Sequence, residues 1–200
     1  MIKLLVVNCY REKAEEKIKP YLKAIEETGI VLEKLKIIRD FQLEDEHISF
    51  TAAVLSGSQK MVGEEEYESR LVDFIRNFRK PLLGICYGHQ ILAKSFGAEV
   101  KRDRIHHKGI EKIQVLRKIP VLEGLPEVFE AAESHHEIVV ATEAFLKEFE
   151  IAAVNEAQKD LVEAIAHRNL PYYGLQFHPE KTQLGPLVFR NFLKTAHNLI

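Results

Sequence analysis

Only two cysteines, Cys9 and Cys86, occur among the 200 residues. That is too few for a disulfide framework and suits a reducing cytoplasm. Long apolar runs are missing as well: no stretch approaches the ~18 residues a bilayer-spanning helix needs. The N-terminal run Ile2–Val7 is too short for a signal peptide and passes directly into Arg11-Glu12-Lys13, so a first β-strand is expected. Charge of one sign is also lacking. The formal net charge is −2, and no global basic field draws the chain to nucleic acid or a membrane surface. No internal repeat, low-complexity tract or linker interrupts it, so one domain over residues 1–200 is expected. What remains is 46% hydrophobic and 29% charged, the composition of an ordinary globular protein with ample core.

Apolar runs of strand length alternate with longer helical patterns. That alternation predicts a three-layer α/β fold, a mostly parallel central sheet with helices on both faces. The expected strands are Ile2–Val7, Val31–Ile37, Ala52–Leu55, Leu82–Ile85 and Tyr172–Phe177. Ile18, Leu22 and Ile25 recur at helical spacing within Lys13–Glu27, and Gly29 makes a stop. Tyr67, Leu71, Phe74, Ile75 and Phe78 mark a second helix over Glu64–Phe78, and Leu187–Phe192 carries the last. The middle differs. Ile110–Leu116, Ile138–Val140, Ile151–Val154 and Leu161–Ala166 are short and strand-like, which suggests extra sheet edges or a hairpin excursion.

The segment richest in chemistry is Gly84-Ile85-Cys86-Tyr87-Gly88-His89-Gln90. A buried-strand pattern stops at a cysteine between two glycines, and a helical pattern (Ile91, Leu92, Phe96) follows at once. This is the form of a nucleophile elbow, a turn so tight that only small residues fit two positions either side. A helix N-terminus beside the sulfur favours the thiolate form. Such a cysteine is placed to attack a carbonyl. It needs a base and a third residue to orient that base. Among nine histidines, His178 stands out because it follows an apolar run directly, where a strand's C-terminal end would set it beside the elbow. Glu180, two residues on, would point the same way in extended backbone and hold the second ring nitrogen.

Together Gly84–Gln90 and Gln176-Phe177-His178-Pro179-Glu180 resemble the class I (triad) glutamine amidotransferase family in type, order and spacing, and the likeness extends over nearly the whole chain. The family resemblance implies a flavodoxin-like domain that hydrolyses the side-chain amide of glutamine and passes ammonia to a synthetase active site. It implies that Cys86 attacks the amide carbon to form a γ-glutamyl thioester, that His178 protonates departing ammonia and activates water, and that Glu180 orients it. The oxyanion donors would be the Tyr87 N–H and the turn after the third strand, here Ser56-Gly57-Ser58-Gln59. Relatives usually carry two adjacent glycines and a proline there; a position needing φ > 0 would strain Ser58. Gln90, one helical turn past Cys86, matches a substrate-contacting glutamine, and Ser134-His135-His136-Glu137 resembles a segment that holds the substrate's amino-acid end, through Ser134 and His135.

Several histidines carry blander expectations. Adjacent histidines on a strand point to opposite faces and make poor co-ligands, so no metal or organic cofactor is expected. His106 and His107 read as solvated loop residues, His89 as a packing or capping residue, and Cys9 as a small core residue. Tyr87, the acid Glu137 and Thr182 after Phe-His-Pro-Glu look most similar to the family branch that serves GMP synthetase. Two departures are the Asn8-Cys9-Tyr10-Arg11 start and the Ser58-Gln59 turn. No synthetase segment follows the last helix, so a separate ammonia-accepting, ATP-dependent partner is expected. The alternatives are a γ-glutamyl peptidase-like hydrolase that needs no partner, the glutaminase of imidazole glycerol phosphate synthase, and a binding protein on the same scaffold.

Overall fold

The computed structural model describes residues 1–198. Nine strands form one sheet: β1 Ile2–Asn8, β2 Leu32–Arg39, β3 Ala52–Leu55, β4 Leu82–Ile85, β5 Glu99–Val115, β6 Val128–Val140, β7 Phe149–Asn155, β8 Val162–His167 and β9 Tyr172–Leu175. The helices are α1 Ala14–Lys17, α2 Lys19–Glu26, α3 Ser69–Phe78, α4 Tyr87–Ser95, α5 Glu143–Glu148 and α6 Gly185–Asn198. The strand order is β2-β1-β3-β4-β9-β8-β7-β5-β6. Pairing is parallel from β2 to β9 and antiparallel from β9 to β6. The parallel half is the doubly wound core expected from the alternating pattern. The antiparallel half is the hairpin excursion, longer than the short runs suggested.

Alternation along β1 explains the two-sided core. Leu4 and Val6 pack with Tyr21, Ile25, Phe189 and Phe192 of α2 and α6. Leu5 and Val7 pack with Leu71, Ile75, Ile91 and Leu92 of α3 and α4. Successive side chains point to opposite faces, so a strand covered on both sides must be apolar throughout. Each of these fully buried side chains contributes roughly 1.5–3 kcal/mol.

Several element bounds differ from the expected ones, each for a physical reason. The Lys13–Glu27 helix breaks at Ile18, because Pro20 sits at the first turn of α2 and cannot supply an amide to a continuous ladder. Glu64–Glu68 is not helical: Glu65 holds φ 60°, and Glu66 folds back to accept the Met61 N–H at 2.9 Å. The final strand ends at Leu175, since the Gln176 N–H turns to the Glu163 carbonyl and the His178 N–H to that of Ala132, each at 2.8 Å. His106 and His107 belong to β5, and His107 is buried between Asp103 and Glu111 rather than solvated. Among the described residues, no helix is long and apolar enough to cross a membrane.

Candidate active site

β4 and β9 are parallel neighbours, with Ile85 paired to Leu175. The chain therefore leaves both strands at one end of the sheet, which is how Cys86 and His178 meet. Cys86 is the N-cap of α4 at φ 52°, ψ −105°, a region that costs a non-glycine residue about 1–3 kcal/mol. Its N–H is tied to the Leu175 carbonyl at 2.8 Å. A Cβ on Gly84 would collide with the Gly88 carbonyl, and one on Gly88 with the Leu55 carbonyl of β3. The glycines of the elbow thus let strand, turn and helix lie in contact.

His178 is buried and its Nδ1 donates to Glu180 Oε1 at 2.7 Å. The pairing is the expected one but its backbone is not, because Glu180 lies in a 3-10 turn, Pro179–Lys181, rather than in extended chain. Burial works against the imidazolium, yet the Glu180 carboxylate and the Cys86 sulfur outweigh it and raise His178 to about 10. With Nδ1 committed to Glu180, Nε2 is the nitrogen left for the sulfur. A thiol, an imidazole and a carboxylate thus line one cavity of about 690 Å³.

The turn after β3 lies at the topological switch between β1 and β3, where doubly wound sheets open a crevice. Ser58 does not have positive φ, so the strain considered for it is absent. Its hydroxyl donates to the Cys9 carbonyl at 2.7 Å and accepts from the Lys60 N–H at 3.1 Å. Gln59 accepts the Arg11 N–H at 3.1 Å and donates to the Glu12 carbonyl at 3.2 Å. The two departures from the family pattern are therefore packed on each other. Gly57 differs from expectation: its N–H already donates to the Tyr21 hydroxyl at 2.9 Å. The Ser58 N–H engages no protein acceptor among the described residues, and the Tyr87 N–H, first in α4, lies outside the helical ladder.

Gln90 lines the cavity, its amide nitrogen donating to the Glu137 carbonyl at 2.9 Å and the Gln176 side chain at 3.1 Å. Ser134 is exposed at the cavity wall, and its carbonyl lies 3.9 Å from the Cys86 sulfur. His135 and His136 do alternate, one buried and one exposed. The His135 ring is committed to the Glu137 carbonyl at 2.9 Å and faces Glu133 at 3.2 Å. Glu137 itself is a brace, accepting the Val62 and Gly63 N–H groups at 2.7 and 2.9 Å. His89 is wholly buried inside α4 and packs without capping; burial pushes it down to about 3. Cys9 is a core residue, as expected.

Sequence reasoning missed four residues of this region. Tyr10 and Tyr21 approach each other at 3.4 Å between hydroxyls beside Gly57. Glu133 and Glu163 are buried beneath His135 without hydrogen-bond donors. Burial is the main force on both acids, raising Glu133 to about 8 and Glu163 well above the usual carboxylate range. The i, i+2 spacing of Glu133 and His135 was a usable signal for the first of them.

The family model for glutamine amidotransferase class-I matches residues 6–196. The chain is 35% identical over 154 residues to the glutamine-hydrolyzing GMP synthase subunit of Methanococcus aeolicus, covering 76% of this chain and 77% of the relative. It is 32% identical over 166 residues to the protein of the same name from Sulfolobus acidocaldarius, covering 82% and 85%. A Thermoplasma acidophilum crystal structure described as a GMP synthase subunit superposes with a TM-score of 0.83 at 26% identity, covering 100% of this chain and 96% of that one. The glutaminase domain of Trypanosoma brucei CTPS shares the fold, with a TM-score of 0.78 at 18% identity over 99% and 94% of the two chains.

Proposed function

The chain belongs to the class I glutamine amidotransferase family, and on that footing we propose that it hydrolyses the side-chain amide of glutamine with Cys86, His178 and Glu180. The observation that carries this reading is a strained cysteine elbow facing a carboxylate-paired histidine in one cavity. His178 Nε2 carries the proton that Cys86 gives up, and the sulfur bonds to the amide carbon. The resulting oxyanion meets the Tyr87 and Ser58 N–H groups. Collapse breaks the C–N bond, and His178 returns the proton to the departing nitrogen, so ammonia leaves and a γ-glutamyl thioester remains. His178 then takes a proton from water, whose oxygen attacks the thioester carbonyl, and glutamate is released with the thiol restored. Glu180 holds the imidazole and balances its charge throughout. Gln90, Ser134 and His135 line the space for the rest of the substrate. No cofactor is needed for this chemistry.

The ammonia then has its acceptor on a separate synthetase polypeptide, and the relatives' name makes a GMP synthase partner the leading assignment. The action is that of a single domain over residues 1–200. A partner-free γ-glutamyl hydrolase is the second reading, favoured by one observation: the oxyanion turn is already pinned by Tyr21, Cys9 and the Arg11–Glu12 backbone. Glutamate release should be low for the chain alone and rise when the synthetase partner, ATP and acceptor are added. The Cys86→Ala variant should lose at least ~10⁴-fold in either setting. Trapping the thioester with hydroxylamine as γ-glutamyl hydroxamate checks the intermediate. Turnover equal with and without the partner turns the assignment to the hydrolase, and a hydroxamate unchanged in Cys86→Ala removes the thiol mechanism.

A further inference from the structure

Beneath the cavity floor His135 meets two acids, Glu133 and Glu163, that have no part in the proposed hydrolysis. Glu133 and His135 stand two residues apart on β6 and share its inward face, and Glu163 comes from β8. One ligand atom from each of the three lies within 4.8 Å of the others. All three residues are buried, Glu163 completely. Both oxygens of Glu133, both of Glu163 and Nε2 of His135 lack a hydrogen-bond donor. His135 is the informative member. Its Nδ1 faces the Glu137 carbonyl at 2.9 Å and must therefore carry the proton, which leaves a lone pair on Nε2. That lone pair faces Glu133 Oε2 at 3.2 Å. Two acceptors at this distance repel unless something positive lies between them.

We propose that Glu133, His135 and Glu163 form a binding site for a divalent transition-metal ion of the zinc class. Zinc takes imidazole nitrogen and carboxylate oxygen at ~2.0–2.2 Å, so neighbouring ligand atoms of a tetrahedron lie ~3.3 Å apart. The Glu133–His135 edge already has about that length. The Nδ1–H to carbonyl bond is the outer support that fixes a metal-binding imidazole in orientation and tautomer. His107 adds a second support by stacking on His135, ring centroids 4.7 Å apart and 10° from parallel. His107 is itself clamped by Asp103 at 2.8 Å and Glu111 at 3.2 Å. Two carboxylates and a neutral imidazole would balance the charge of the ion, the condition for burying charge at all. The fourth position is open to water or to a group entering from the cavity, which His135 also lines. β6 connects the site to the proposed base, since the Ala132 carbonyl beside Glu133 holds the His178 N–H.

The test is zinc binding by the full chain carrying Cys86→Ala, which removes the competing thiol. After chelator treatment and dialysis against zinc chloride alone, elemental analysis should find one zinc per chain. Adding Glu163→Gln should weaken binding about a hundredfold or more. A Cys86→Ala chain that retains no zinc, or one whose affinity is untouched by Glu163→Gln, overturns the site; the acids then hold protons between them. Where the double variant fails to fold, anomalous diffraction from zinc-treated Cys86→Ala crystals decides. Density within bonding distance of the Glu163 carboxylate supports the site, and zinc found only elsewhere rejects it.

Discussion

Tyr21 shows how far one hydroxyl can reach. It accepts the Gly57 N–H at 2.9 Å, and a Cβ on Gly57 would lie 3.0 Å from His178 Cε1 and 2.8 Å from the Tyr10 hydroxyl. The hydroxyl thus settles which way the Ser56–Gly57 peptide faces, and the next peptide, which carries the Ser58 N–H, builds on it with its own carbonyl held by the Ser56 hydroxyl at 2.9 Å. Tyr21→Phe keeps the ring packed on Phe189, 6.3 Å away between centroids, while leaving a buried donor unpaired. Losing an oxyanion donor outright costs about 10²–10³ in rate; loosening one should lower kcat about tenfold. KM for glutamine should stay within about twofold. Steady-state kinetics on a variant whose melting temperature is within a few degrees of the parent decides it. An unchanged kcat removes Tyr21 from the positioning of the turn.

At the scale of elements, α4 lies so close to β3 and β4 that the sequence had to spell the contact in glycine. Gly88→Ala would drive a methyl group into the Leu55 carbonyl, and backbone on both sides leaves little room to yield. The expected cost is about 3 kcal/mol or more, at the upper end of overpacking penalties, and urea denaturation measures it. A loss under ~1 kcal/mol would mean that α4 can slide outward. This contact was legible because small residues flanking a cysteine between a strand and a helix have few other uses. The central parallel strands β3, β4 and β9 were legible too, each being a short, wholly apolar run. The β5–β6 hairpin was legible only at Ile110–Leu116 and Ile138–Val140, since the rest of its pattern is dominated by charged residues such as Lys101, Arg102, Asp103 and Arg104. Its register depends on an irregularity between Arg102 and His107, which no local periodicity encodes.

For the molecule as a whole, buried histidines set the acid limit. Burial pushes His89 down to about 3 and His135 to about 4, whereas the unfolded chain protonates histidine near 6.5. Unfolded chains therefore bind more protons below that value, and stability present above pH 6.5 is lost as pH falls toward 3. At one proton per group, His89 alone subtracts about 3 kcal/mol by pH 4. Glu133 acts in the opposite sense, its contribution being full at low pH and lost as pH rises through about 8. Because the raised acids offset part of this loss, urea midpoints of metal-free protein between pH 7 and pH 4 should fall more steeply in the parent than in His89→Gln, whatever their absolute slope. Parallel slopes would show that His89 accepts its proton within the fold. The candidate triad was legible as two motifs in order, because each has a local cause. Glu133, Glu163 and the tyrosines were not, because what distinguishes them is the burial that β6, β8 and α2 impose after folding.

The contact between the Ser58-Gln59 turn and the Cys9–Glu12 segment has a consequence for how this chain can change. The hydroxyl and amide groups of the turn grip backbone atoms of that segment, so neither stretch retains its meaning when moved without the other. Restoring the Gly-Pro pattern in the turn would release a loop shaped to be held, and grafting the loop elsewhere would leave its carbonyls and amides unanswered. The two deviations are one structural unit, written in two places about fifty residues apart.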